Sequence, residues 1–178
     1  MKTRIYLDFD GVLNAKNPQH DDVAQFSIPI EGSFHLAPIN YITFSPTVVY
    51  AIERLRKQYD LELVWLSTWN DSEHVLKLAN HLKGLDGGRV ILPPPLPVEK
   101  VTRKEWTAWK AAAIIVDQAE NPADFVWVDD HAIEHFGIEI AQETEAEKLY
   151  ITPNSEYGLT RENLEDIEEF LKAVTGIV

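Results

Sequence analysis

The chain has no cysteine among its 178 residues. That excludes a disulfide scaffold, a thiolate zinc site and a cysteine nucleophile, and it fits a reducing compartment. No apolar run is long enough to span a bilayer. The start, Met1-Lys2-Thr3-Arg4-Ile5, runs directly into a strand pattern, without the apolar stretch of a signal peptide. The expectation is a soluble, cytoplasmic protein with no membrane partner. Basic residues are scarce: 16 Lys and Arg stand against 29 Asp and Glu, for a net charge of −13. Such a charge repels polyanions on average, which weighs against nucleic acid as a partner. Lys100, Arg103 and Lys104 form a local basic patch, read as a solvated helix start. No internal repeat and no second-domain linker is visible. With 45% apolar and 25% charged residues, the composition is that of one ordinary globular domain over residues 1–178.

What is present alternates between strand and helix patterns. Lys2 to Asp8 reads as a buried strand. Residues 15–45 show little periodicity and read as a flap or lid, with a small hairpin expected from Ser33–Leu36 and Ile39–Phe44. Ser45-Pro46 predicts a helix start, serine as the cap and proline in the first turn, with Val48, Val49, Ile52 and Leu55 as its apolar stripe. Leu61 to Leu66 is a strand, apolar on nearly every residue. Ser72 opens a helix bearing Val75, Leu78 and Leu82, and Val90–Leu92 is a short strand. Pro93–Pro97 reads as a rigid connector. A helix over Arg103–Gln118, strands over Phe125–Val128 and Lys148–Thr152, and a final helix capped by Thr160 complete the pattern. Strands alternating with helices imply an α/β fold, a mostly parallel sheet covered on both faces.

Open parallel sheets bind ligands beyond the carboxyl ends of their strands. The first strand ends in Asp8-Phe9-Asp10-Gly11. Residues i and i+2 of an extended strand share a side, so Asp8 and Asp10 face one spot, and Gly11 permits the turn that follows. Two charges that close cost about 4 kcal/mol at an effective dielectric of 20; a divalent cation is the simplest offset. The second strand ends in Ser67-Thr68-Trp69, and the strand at 125–128 ends in Asp129-Asp130. Lys110 lies in the helix before that strand. Carboxylates, a hydroxyl and an ammonium in one crevice suit phosphoryl transfer: a nucleophile, a proton donor, a metal-binding set and charge-stabilising contacts.

These residues resemble the four motifs of the haloacid dehalogenase (HAD) superfamily of phosphohydrolases. Asp8-Phe9-Asp10-Gly11-Val12-Leu13-Asn14 is similar to the first motif, Ser67 to the second, Lys110 to the third and Asp129-Asp130 to the fourth, in family order. The resemblance implies a three-layer, Rossmannoid sandwich with a flap in place of a full cap domain, and a phosphorylated substrate reached through an open site. It implies Asp8 as nucleophile and magnesium ligand, and Asp10 as general acid/base whose backbone carbonyl also touches Mg2+. Ser67 and Lys110 would hold the phosphoryl group. Asp129 and Asp130 would bind the metal, Asp130 directly or through water. Thr68 competes with Ser67, and Lys104 with Lys110. Trp69 either stacks on a substrate ring or packs internally.

The reaction implied is hydrolysis of a phosphate monoester through an aspartyl-phosphate on Asp8. Asp10 argues against carbon–halogen hydrolysis, because dehalogenases of this kind lack the second aspartate. A nucleic-acid end phosphatase is an alternative. So is a receiver-like or non-catalytic phospho-aspartate protein, although receivers place their adjacent acidic pair before the phosphorylated aspartate, and here Asp129-Asp130 comes late. His131 and His135 have the i, i+4 spacing of a metal pair but no obvious third ligand, and read as a surface pair. Asp21 and Asp22 read as solvated loop residues.

Overall fold

A computed structural model describes residues 2–29, 39–72, 74–94 and 101–177. The expected strand at 33–36, Lys100 and the end of the proline connector lie outside the described residues. Five parallel strands form the central sheet: β1 (Arg4–Leu7), β4 (Glu62–Trp65), β5 (Arg89–Val90), β6 (Phe125–Val128) and β7 (Lys148–Ile151), in the order β5-β4-β1-β6-β7. All four residues of β1 and of β6 are buried, as strands covered on both faces must be.

The pleat sorts these side chains into two cores. Ile5 and Leu7 of β1 and Leu63 and Trp65 of β4 pack under α1 (Pro46–Gln58), α2 (His74–His81) and α5 (Arg161–Thr175). Tyr6, Val64, Phe125 and Trp127 face α3 (Arg103–Glu120) and α4 (Ala132–Glu143). The caps form as the sequence predicts. Ser45 accepts from the amide of Val48 with Pro46 following, and Thr160 closes a capping box with Asn163. Gly176, in the left-handed conformation at φ 67°, ends α5.

The flap differs from the expectation. Strand β3 (Ile39–Phe44) forms the hairpin, but its antiparallel partner is β2 (Ala24–Pro29), with Ala24 opposite Phe44 and Pro29 opposite Ile39. Ile42 and Phe44 are buried in the first core, and Phe26 meets Phe44 edge-on at 5.8 Å. One face of the ribbon is therefore pinned to the domain. Asp22 also departs from its solvated reading. Its carboxylate accepts from Ser45 Oγ, the Thr47 amide and Thr47 Oγ1, each at 2.8 Å. It ties the entry of the flap to the start of α1.

Candidate active site

The register of the sheet brings the acidic ends together. Leu7 pairs with Val128 across β1 and β6, so the next residues, Asp8 and Asp129, leave the sheet side by side. Adjacent strands lie about 4.8 Å apart. The Asp8 amide donates to Val128 O at 3.0 Å and the Asp129 amide to Ile151 O at 3.1 Å, which fixes both carboxylates at one edge. One oxygen of each of Asp8, Asp129 and Asp130 lies within 4.8 Å of the others.

Helix α3 delivers the counter-charge. Lys110 Nζ donates to Asp8 Oδ2 at 2.5 Å and to Asp129 Oδ2 at 2.6 Å. Asp8 keeps its other oxygen on the Phe9 amide at 2.6 Å. Asp129 Oδ1 accepts from the amides of His131 and Ala132, so it also caps the start of α4. Lys104, the rival cation, is exposed. Burial pushes the Asp8 carboxyl up to about 7 against the pull of Lys110, and Asp129 and Asp130 push it in the same direction. Asp130 is raised as well, by burial and then by Asp129. Burial alone would lower Lys110, but Asp8 and Asp129 outweigh it and hold the ammonium charged. One lysine does not balance this group. The donors are all hard carboxylate oxygens, the set that Mg2+ takes, so the residues fit the metal the resemblance implies.

Gly11 makes room for the group. Its φ is +71°, and a Cβ there would lie 2.4 Å from Asp130 Oδ2. Asp10 stands outside the three-carboxylate group, on the wall of the same cleft. Asn14 Nδ2 donates to its Oδ1 and Trp69 Nε1 to its Oδ2, both at 2.7 Å. Asn14 in turn accepts from the Thr43 amide at 3.0 Å, which couples Asp10 to the flap. The link from Asn14 to the flap does not follow from sequence alone, because Thr43 lies 29 residues away.

The cleft has a volume of about 640 Å³, and Asp8, Asp10, Lys16, Tyr41, Thr68, Arg103, Lys110, Asp129 and Asp130 contribute to its walls. Two of the candidate substrate contacts are buried. Trp69 is 2% exposed and meets Phe9 edge-on at 6.3 Å, so it packs rather than presenting a face to a substrate ring. Ser67 is fully buried and accepts from the Trp69 amide at 3.4 Å; Thr68, one residue on, lines the cleft. His131 and His135 do have a third neighbour: Glu134 offers an oxygen within 4.8 Å of both rings' nitrogens.

A parallel sheet carrying a carboxylate group and a buried lysine at its carboxyl edge agrees with the HAD resemblance. The chain belongs to the family described as the HAD domain in Swiss Army Knife RNA repair proteins, whose model matches residues 4–164. No curated protein and no solved structure matches the chain. Among the described residues no helix is long and apolar enough to cross a membrane.

Proposed function

We propose that the protein is a magnesium-dependent phosphatase that hydrolyses a phosphate monoester through an aspartyl-phosphate on Asp8. The observation that carries this reading is the bridge of Lys110 between Asp8 and Asp129, at the floor of a cleft that Asp10 also lines. An Asp8 oxygen attacks phosphorus and the bond to the leaving oxygen breaks, while Asp10 gives that oxygen its proton. Asp10 then takes a proton from water, which attacks the phosphorus of the acyl phosphate and restores Asp8. Bound Mg2+, held by Asp8, Asp129 and Asp130, supplies charge neutralisation and a grip on phosphate oxygens. Lys110 holds the charge of Asp8 and of the transferring group. Thr68, which faces the cleft, takes the phosphoryl contact that sequence assigned first to Ser67. Asn14 and Trp69 position Asp10. The β2–β3 ribbon acts as the flap, within a single domain.

The test is phosphate release from an aryl phosphate. Turnover is expected with Mg2+ and lost with EDTA, and Asp8→Asn is expected to lower it by about 10⁴-fold or more. Full activity in Asp8→Asn would overturn the reading. A second reading narrows the substrate to nucleic-acid ends. The description of the family as RNA repair proteins favours it, against the repulsion expected of a −13 chain. Release of phosphate from 3′- or 5′-phosphorylated oligonucleotides, read on a gel, decides it.

A further inference from the structure

The outer face of strand β3 is turned away from the core. Ile42 and Phe44 hold the ribbon down, while Tyr41, on the opposite face, is 78% exposed and lines the cleft. An aromatic ring held out on a ribbon whose back is pinned is a stacking platform. The cationic side chains nearby are equally unspent. Arg4, Arg54, Arg56 and Arg89 are all ion-paired. Arg103 and Lys16 are exposed on the cleft wall and make no ion pair among the described residues.

Helix α3 relates these groups to the reacting centre. Arg103, Thr107 and Lys110 all line the cleft, so a single face of the helix runs from its floor to its mouth. Arg103 and Lys110 are two turns apart, about 10 Å along the axis. With a phosphate at Lys110, Arg103 and Tyr41 are lining groups left to meet whatever that phosphate is attached to. Across the whole cleft, Asp8, Asp10, Asp129 and Asp130 stand against Lys16, Arg103 and Lys110. A divalent cation turns that balance positive, so anion capture here depends on the metal even though the chain as a whole is acidic.

We propose that Tyr41, Arg103 and Lys16 form a subsite for the terminal nucleotide of a single-stranded polynucleotide: Tyr41 stacks on the terminal base, and Arg103, with Lys16, holds the next phosphate. The proposal rests on the phosphatase reading for its orientation. Recognition by stacking and backbone charge is tolerant of sequence. A sugar phosphate would leave the ring unused, and a mononucleotide would leave Arg103 unused.

Two measurements test it. Binding is read by fluorescence anisotropy of a labelled single-stranded oligoribonucleotide ending in a non-hydrolysable phosphonate, with the protein in Mg2+, which does not depend on turnover. Tyr41→Ala is expected to weaken binding about tenfold or more, and Tyr41→Phe to restore it. Arg103→Ala is expected to reduce the slope of log affinity against log salt by about 0.7, the contribution of one phosphate on a single strand. In the turnover assay, the ratio of kcat/KM for the oligonucleotide to that for an aryl phosphate is expected to fall about tenfold in Tyr41→Ala. Equal binding by Tyr41→Ala and its parent, tighter binding of a phosphopeptide than of any oligonucleotide, or an unchanged ratio would overturn the subsite. Loss of aryl phosphate turnover by the unsubstituted protein, with oligonucleotide binding intact, would instead count against the catalytic reading alone.

Discussion

Two charged groups occupy opposite ends of the same sheet, and helix α3 serves both. At the amino ends of the strands, Arg4 pairs with Glu62 at 2.7 Å, and Arg89 pairs with Glu62 at 2.9 Å and with Asp117 at 2.7 Å. Tyr6 donates to Asp117 Oδ2 at 2.6 Å. Two guanidinium groups meet two carboxylates, and nothing further is needed. Burial opposes Glu62 and Asp117, yet hydrogen bonds from the arginines hold both carboxyls below the usual range. At the carboxyl ends, Lys110 bridges Asp8 and Asp129 with Asp130 beside them, and Asp8 and Asp130 are pushed up. Lys110 and Asp117 lie seven residues apart on α3, both buried. The difference teaches how to tell a structural charge cluster from a functional one. The first is closed on itself; the second carries more negative charge than its one bridging lysine balances.

Crossed substitutions should separate the two ends. Asp117→Ala leaves Arg89 and Tyr6 without their shared partner and is expected to cost about 3 kcal/mol in urea unfolding, while the folded fraction keeps its turnover of an aryl phosphate. Asp130→Asn is expected to do the reverse: a midpoint of thermal unfolding in EDTA raised by about 2–4 °C, and loss of most of the stabilisation that Mg2+ provides. That stabilisation is about 2.7 kcal/mol at a hundred times Kd. If Asp130→Asn lowered the metal-free midpoint as Asp117→Ala does, the contrast would fail.

Gly11→Ala sharpens the point without touching a charge. The φ of +71° costs a side chain about 1–2 kcal/mol, and the new Cβ would meet Asp130 Oδ2 at 2.4 Å. Asp130 must move, and Mg2+ affinity measured by calorimetry is expected to fall by about 10- to 100-fold. An unchanged affinity would mean that Asp130 takes no part in holding the metal.

The two ends should also respond to pH with opposite sign. Asp117 and Glu62 titrate lower in the folded chain, so their contribution is present above the ordinary carboxylate range and is lost as the pH falls through it. Asp8 titrates higher, at about 7. In metal-free protein its contribution is present below about pH 4 and is lost as the pH rises towards 7. Urea unfolding in EDTA over this range is expected to show a decline, to which Asp130 also contributes, that Asp8→Asn reduces and Asp117→Asn leaves in place.

The elements that build the catalytic end are the ones a reader of the sequence can find. Strands β1, β4 and β6 are short apolar runs, and a strand that stops in aspartate announces where the carboxylate goes. The register that sets Asp8 beside Asp129 follows from strand adjacency, which strand order in an α/β fold largely dictates. The balanced end is hidden, because Arg4 and Asp117 are brought together only by the antiparallel course of α3 over the sheet. Strand β2 was equally illegible. Only Ile28 of its six residues is buried, so it has no core signature, and its pairing with β3 spans a long connection. Helix α4 buries Ala132, Gly137 and Ile140, of which Ile140 alone is large, so they write no clear stripe. Ser67 and Thr68 differ in exposure by the rotation of one residue after β4, which no spacing rule fixes.

Trp69 carries the smallest effect and the finest distinction. Its ring packs on Phe9, as an indole in any core does, while its N–H reaches Asp10 at 2.7 Å. Trp69→Phe keeps an aromatic ring against Phe9 and removes only the donor. A hydrogen bond to a charged group is worth about 1.5–3 kcal/mol, but Asn14 still holds the other oxygen of Asp10, so the lower end of that range applies and turnover should fall about tenfold. If Asp10 moves the leaving-group proton, the loss should lie in kcat with KM little changed, and should shrink for an aryl phosphate whose leaving phenol needs no proton. A purely packing role for Trp69 predicts instead a lower unfolding midpoint and equal losses for good and poor leaving groups, so comparing two phenols of different acidity in the same variant decides between them.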